Sequence, residues 1–282
     1  MQKRVWMGSA LGLILAVNVV AAEGPFKPYT LADTAPADVT AKLVAAGFEV
    51  AGTYTPFEGT EIIVMTSDAL KANAANSERG AYGAVLRVAI SGDTVSYTTP
   101  QYWANAFRLT SDLGDVAATL EKALGNAGTF GSKKGLSVKA LRKYHYMAMM
   151  PHFDDPVKLG SFDSYTEAVA AVAKSLAEGK QSSKLVYRID IKDKKETIFG
   201  IGMVGEQDGA DGVIMPVLGG FTGKPEHSAC LPYEILVSGG KVSMLHGKFR
   251  IALSFPDLSM GQFMKIRNAP AAIAAIAKSL LK

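Results

Sequence analysis

Cysteine is almost absent from this chain, because Cys230 is the only one among 282 residues. A single thiol excludes an intramolecular disulfide, and it also excludes the paired-cysteine patterns of haem attachment and of structural zinc. The fold must therefore be held together by a hydrophobic core, for which a content of 48% hydrophobic residues is sufficient.

An excess of charge of one sign is also missing. The chain has 30 basic and 26 acidic residues, and this balance gives no reason to expect a nucleic-acid partner or a membrane-surface patch. Phosphate-binding loops, H-E-x-x-H motifs and nucleophile elbows are absent from the sequence as well. The sequence therefore favours a protein that is not an enzyme, although it does not exclude one.

The chain also lacks a hydrophobic run long enough to span a membrane, even near its N-terminus. Lys3 and Arg4 begin the chain, a short apolar run follows, and Ala21 and Ala22 precede Glu23. This pattern predicts a cleaved secretory signal peptide over residues 1–22. The run is too short for a transmembrane helix. We expect a bacterial periplasmic or secreted protein with no membrane anchor after cleavage.

Hydrophobic periodicity predicts two series of helices and strands. The series occupy residues 37–135 and 164–282, with an extended arm at 23–36 and a junction segment at 136–163. Within the second series, the pattern predicts a strand at 249–254, a helix that opens at Pro256, and a long glycine-rich loop at 205–232.

The two series look like copies of each other. Pro100 and Pro256 each follow an alternating segment, and Phe107 and Phe263 lie seven residues beyond them. This agreement predicts an internal duplication. We expect an α+β fold of two tandem units, with antiparallel sheets covered by helices and a pseudo-two-fold, dimer-like arrangement within one chain.

The order of predicted elements over residues 37–109, and more faintly over 164–266, resembles the domain of unknown function family three-hundred-and-two. The resemblance implies small α+β units that dimerise and a short helix after a proline, but no agreed activity. Thr99 and Phe255 depart from the polar residue that this family has before the proline.

The junction segment gathers histidines and methionines. His145 and Met149 share one face if the segment is a helix and also if it is a strand, whereas Met147 joins them only in a strand. His152 follows Pro151 and can turn back toward them. Imidazole and thioether ligands suit copper(I) or haem iron. The alternative is that the methionines fill core space beside a buried histidine.

Two further groups of residues are candidates for binding. His227 and Cys230 have the spacing of half a metal site, although a single buried cysteine is the alternative. Aromatic and amide side chains at the helix start and in the junction are candidate ligand contacts, with aromatic core packing as the alternative. They are Tyr102, Trp103, Asn105, Tyr144 and Tyr146.

These observations favour an exported, non-catalytic binding protein that holds a small ligand, or a soft metal or haem, between two repeats. The alternative is an interaction module of the cell envelope that binds a protein partner and no small ligand. The identity of the cofactor, if there is one, does not follow from the sequence.

Overall fold

The computed structural model describes residues 24–281, so the signal peptide predicted for residues 1–22 lies outside the described residues. Within the described range, the strands form two sheets in which all pairing is antiparallel, and helices accompany both, which confirms the α+β class. No helix between residues 24 and 281 is long and apolar enough to cross a membrane.

Six strands form the first sheet: β1 (Tyr29–Leu31), β2 (Glu49–Phe57), β3 (Thr60–Thr66), β4 (Leu86–Ser91), β5 (Thr94–Thr98) and β6 (Thr129–Phe130). Their order across the sheet is β2-β3-β4-β5-β1-β6. In β3, the consecutive residues Ile62, Ile63 and Val64 are all buried. Because successive strand residues face opposite sides, both faces of the sheet are covered at this strand.

Five strands form the second sheet: β7 (Val157–Ser161), β8 (Ser183–Ile191), β9 (Glu196–Met203), β10 (Tyr233–Ser238) and β11 (Lys241–Met244). Their order is β7-β11-β10-β9-β8. Every residue of β9 is buried. Gly200 leaves space for the ring of Tyr187, since a Cβ at Gly200 would lie 2.0 Å from that ring.

The helices are α1 (Val39–Ala45), α2 (Asp68–Ala75), α3 (Pro100–Ala106), α4 (Gly114–Leu124), α5 (Val138–Arg142), α6 (Tyr165–Ala177), α7 (Asp211–Thr222), α8 (Gly247–Ser254), α9 (Met260–Lys265) and α10 (Ala269–Ser279). Ser67 and Ser164 cap α2 and α6 through side-chain hydrogen bonds. The apolar stripe of α4 (Val116, Leu120 and Leu124) is buried. Helix α6 packs on β8, β10 and β11.

The structure corrects the prediction for the region around Pro256. The strand predicted at residues 249–254 is helix α8, and Pro256 follows this helix instead of opening one, since α9 begins at Met260. The hydrophobic pattern of so short a segment does not distinguish a strand from a buried helix. All residues from Phe249 to Ser254 are buried. The strand–proline–helix pattern therefore occurs at Pro100 and not at Pro256.

Three segments outside the two predicted series, or within a predicted loop, contain helices or strands. The arm at 23–36 contributes β1, which pairs with β5 and β6. The junction at 136–163 contributes α5 and β7, and β7 joins the second sheet beside β11. The loop predicted at 205–232 contains helix α7, whose Pro216 and glycines hide its helical pattern from sequence analysis.

The half of the chain that contains the first sheet and the half that contains the second sheet share one continuous hydrophobic core. Edge strands β2 and β8 approach so closely that a Cβ on Gly52 would lie 2.1 Å from the carbonyl oxygen of Val186. Glycine permits this close approach of two backbones. One hydrophobic cluster includes buried residues from both sheets, such as Ile62 and Ile198. The segment 131–146 contacts the second half through hydrogen bonds to Ala252, Asp257 and Leu258.

Candidate functional site

Three tyrosine hydroxyls satisfy the C-terminal carbonyl groups of α8. The last four carbonyls of a helix have no partner within it. The donors and acceptors are Tyr144 to Ala252 (2.8 Å), Tyr102 to Leu253 (2.7 Å) and Tyr29 to Ser254 (3.1 Å). Tyr102 and Tyr144, which the sequence proposes as ligand contacts, thus use their hydroxyls to hold α8 against the first half.

Trp103 and Asn105 are also buried. The indole N–H of Trp103 donates to the carbonyl of Pro28 at 2.9 Å, and the Asn105 amide donates to the carbonyl of Gln101 at 2.9 Å. Both polar groups are therefore occupied by backbone partners, as buried donors must be. Neither residue lines the clefts described below.

The junction is neither the helix nor the strand that the His/Met hypothesis assumed. Helix α5 ends at Arg142 and turns follow it. Met149 has a φ of +64° and a completely exposed side chain, and Met147 is exposed too. The ring of His145 lies 4.5 Å from that of His152. Copper or haem ligation by this set stays a prediction.

His227 and Cys230 are held by different neighbours. Nδ1 of His227 lies 3.1 Å from the carbonyl oxygen of Ser254, which can only accept, so Nδ1 carries the hydrogen. Burial lowers the pKa of His227 to about 4, which leaves the imidazole neutral. Cys230 Sγ lies 3.8 Å from Met215 Sδ, and burial raises the pKa of this thiol to about 11, so it keeps its proton.

Among residues 24–281, no group of three or more His, Cys, Asp or Glu side chains is arranged to hold a metal ion.

A buried group of charges lies between the two sheets. Arg87 on β4 forms an ion pair with Glu234 on β10, and Nε of Arg250 lies 3.5 Å from the second oxygen of Glu234. The guanidinium of Arg250 lies 4.9 Å from the ring centroid of Trp103, a cation–π arrangement. Burial lowers the pKa of Arg87. Two cations thus share one carboxylate in the interior.

A wide cleft, here called the basic cleft, lies between residues 132–146 and the turn after α8. Its volume is about 800 Å³. Four exposed lysines line it, and none of them is in an ion pair with another residue of the described chain. They are Lys133, Lys134, Lys139 and Lys143. Like charges that converge on a concave surface raise the local positive potential.

Other polar groups complete the basic cleft. His145 and Tyr146 line it, and the hydroxyl of Tyr146 donates to the carbonyl of Leu258 at 2.7 Å. Asp257 is the carboxylate of the lining, and it accepts from the backbone N–H of Lys133 at 2.6 Å and from the Ser132 hydroxyl at 3.3 Å. This carboxylate joins the two walls through hydrogen bonds and forms no ion pair with the cleft lysines among residues 24–281.

A second cleft, here called the aromatic cleft, adjoins the first. It has a volume of about 510 Å³ and shares Ser132, Lys133 and Asp257 with the basic cleft. Phe130, Phe221, His227 and Phe255 line it. The His227 and Phe255 rings are stacked, with centroids 4.8 Å apart. The two clefts together follow the boundary between the halves.

The lysines of the basic cleft were missed by the sequence analysis, although a signal was present. Residues 131–153 contain no acidic residue and five basic ones. The whole-chain charge balance hides this local excess. The contributions of Asp257 and Phe221 have no local signal, because the fold brings them to the cleft from more than 70 residues away in the sequence.

Comparisons with models of protein families, with curated proteins and with solved structures find no match for this chain. The two clefts are the features of the described chain from which a function can be inferred.

Proposed function

We propose that the protein is an exported, non-catalytic binding protein that holds a small anionic ligand in the basic cleft. The observation that carries this proposal is the convergence of four lysines without ion-pair partners in the described chain on one concave surface. Charge focused in a cleft with protein walls attracts anions more strongly than the same charges spread over a convex surface. His145 adds a hydrogen-bonding group to the lining.

Export is supported by the pattern of residues 1–22, in which a basic start, a short apolar run and small residues precede Glu23. In a bacterial host, the full chain is expected in the periplasm or the medium. Mass spectrometry of the purified protein tests this, because cleavage after Ala22 leaves a chain that begins at Glu23. A cytoplasmic protein that retains Met1 would contradict export.

A duplicated architecture is part of the proposal. Helix α1 is followed by β2, β3, α2, β4, β5 and α3, and α6 is followed in the same order by β8, β9, α7, β10, β11 and α8. The 3-10 turn Gly80–Gly83 contacts β9 and β10, and its counterpart Ser228–Cys230 contacts β3 and β4. Reciprocal contacts of this kind are typical of a two-fold interface.

The ion pair between the halves fits the same symmetry. Arg87 and Glu234 are the second residues of the counterpart strands β4 and β10. In this alignment α8, and not the segment at Pro256, is the counterpart of α3. The basic cleft then lies where the end of the first unit and the junction segment meet the turn after α8 of the second unit. Membership of the domain of unknown function family three-hundred-and-two stays a prediction.

Isothermal titration calorimetry with inorganic phosphate and with citrate tests the binding function. We expect both anions to bind at low ionic strength and to bind more weakly as salt is added, because exposed charges are screened. The double variant Lys139→Gln/Lys143→Gln should lose about fivefold in affinity, since each exposed ion pair contributes less than about 1 kcal/mol.

The matched control is Lys122→Gln/Lys278→Gln, which removes the same charge from exposed positions outside the clefts. It should bind like the unmodified protein. A protein that binds neither anion would contradict the proposal, and so would an equal loss of affinity in both double variants, which would indicate a net-charge effect.

A further inference from the structure

The basic cleft and the aromatic cleft, here together called the groove, adjoin each other and differ in their chemistry. They share the Ser132–Lys133 backbone and the Asp257 side chain. Beyond this shared wall the lysines continue on one side, and phenylalanine side chains line the other. A ligand that used only the charge would leave the accessible phenylalanine rings of the aromatic cleft in contact with water.

The aromatic end is built from rings that are partly accessible. Phe130 and Phe221 are half-buried, and the ring of Phe130 is 5.6 Å from that of His227. Lys265 Nζ lies 5.5 Å from the ring centroid of Phe221. Planar ligand groups pack on such rings in offset or edge-to-face arrangements, and each pair contributes beyond the burial of its area.

Charge differs between the two ends as well. His227 donates from Nδ1 to the Ser254 carbonyl within a buried stack of rings, where a charged imidazole is disfavoured. Lys224 is paired with Glu226. Among the cleft-lining lysines without an ion pair in the described chain, Lys134, Lys139 and Lys143 lie on the basic side, Lys27 lies on the aromatic side and Lys133 is shared. The basic side therefore carries more positive charge, and the phenylalanine rings of the aromatic side suit a planar ring.

We propose that the ligand is a small organic anion with a planar aromatic ring, whose ring lies between Phe221 and Phe130 and whose anionic group lies among Lys133, Lys139 and Lys143. This inference rests on the proposed function, since it places the anionic group in the basic cleft. The two volumes, about 510 and 800 Å³, are within the range of small-molecule sites.

Calorimetric titrations with 1-naphthyl phosphate, inorganic phosphate and 1-naphthol test the inference. We expect 1-naphthyl phosphate to bind about tenfold more tightly than phosphate, because the ring adds aromatic contacts, and 1-naphthol to bind more weakly than 1-naphthyl phosphate. The variant Phe221→Ala should lose most of this tenfold advantage, while its affinity for phosphate is unchanged.

Two further variants serve as controls. Phe162→Ala removes a half-buried ring outside both clefts and should bind 1-naphthyl phosphate like the unmodified protein. Phe221→Leu keeps apolar bulk and helix α7 but removes the aromatic ring, so it tests the ring if Phe221→Ala does not fold. It should lose part of the tenfold advantage.

The outcomes separate the two proposals. If phosphate binds and the naphthyl ring adds no affinity, the aromatic ligand is wrong and the anion-binding function stands. If neither phosphate nor 1-naphthyl phosphate binds, both are wrong. If 1-naphthol binds as tightly as 1-naphthyl phosphate, the lysines do not hold the anionic group and the joined site is wrong.

Discussion

Glu234 is the carboxylate partner of both Arg87 and Arg250. The variant Glu234→Gln leaves two buried cations without a counter-charge, and we expect it to lower the free energy of unfolding by about 3–5 kcal/mol. Arg87→Met should cost less, because Glu234 and Arg250 then remain as a balanced pair. Urea denaturation at pH 7 measures both.

The exposed Glu61→Gln is the control for this series and should change stability by less than about 0.5 kcal/mol. A cost for Arg87→Met as large as that for Glu234→Gln would contradict the argument. It would mean that Arg87 contributes mainly through packing and hydrogen bonds, and not through the charge balance of the group.

The titration of the buried Asp211 carboxyl group makes the stability of the fold depend on pH. It is buried at the start of α7 and accepts from the Tyr54 hydroxyl at 2.7 Å and from the Met203 backbone N–H at 3.0 Å. Burial raises its pKa to about 7. Between the ordinary carboxyl pKa and 7, the folded state binds more protons than the unfolded state, so this group makes the protein less stable as pH rises through that window.

The variant Asp211→Asn removes this titration. We expect the stability of the unmodified protein to fall relative to Asp211→Asn between about pH 4 and 7, by an amount on the order of 4 kcal/mol. His227, whose pKa is lowered, gives the opposite slope in both proteins and cancels in the difference. The control Asp208→Asn, at an exposed position, should show the same pH dependence of the unfolding free energy as the unmodified protein. A difference between Asp211→Asn and the unmodified protein that does not change with pH would contradict this prediction.

At the scale of elements, two glycines have equal space for an added side chain but differ in backbone conformation. Added Cβ atoms at Gly220 in α7 and at Gly239 in the β10–β11 turn would meet no atom within 4 Å, but Gly239 has a φ of +56°. We expect Gly220→Ala to raise stability by about 0.5–1 kcal/mol through helix propensity. Gly239→Ala should lower it by about 1 kcal/mol, because a Cβ disfavours the left-handed region. Thermal unfolding measures both, and changes of the same sign would contradict this account.

The elements also show what the sequence can predict. Strand β3 and helix α8 are both short and largely buried, and the pattern rule assigned β3 correctly and α8 wrongly. Burial of Arg250 and Ser254 together with the apolar residues leaves α8 without the exposed polar face that marks a surface helix. Helix α7 was missed because Pro216 and three glycines lower its propensity, and tertiary contacts such as Asp211 with Tyr54 compensate.

Likewise, only part of the candidate site could be predicted from the sequence. The local excess of positive charge from Lys133 to Lys143 can be seen in the sequence. The position of these lysines near Asp257 and Phe221 depends on how the halves pack. The pairing of Arg87 with Glu234 likewise has no local signal, since the two residues come from different sheets. Sequence reveals the residues of such a site only where they are neighbours in the chain.

At the scale of the whole molecule, the tyrosine contacts to α8 join the two halves. Tyr102 on α3 donates to the carbonyl of Leu253, whereas Tyr97 on β5 donates to Gly125 within the first half. Removing a hydroxyl leaves a carbonyl without its donor, which costs about 1–3 kcal/mol where the carbonyl is buried. Because one core spans both sheets, we expect either loss to be distributed over the whole molecule.

Hydrogen exchange of the amides in β3 and β9 measures this coupling. In both Tyr102→Phe and Tyr97→Phe, we expect the protection of β3 and of β9 to fall by the same free energy, because the two sheets unfold together. A chain of this length does not have to behave as one cooperative unit. If Tyr97→Phe lowered the protection of β3 but left β9 unchanged, the halves would be separate folding units, and the groove between them would open without global unfolding.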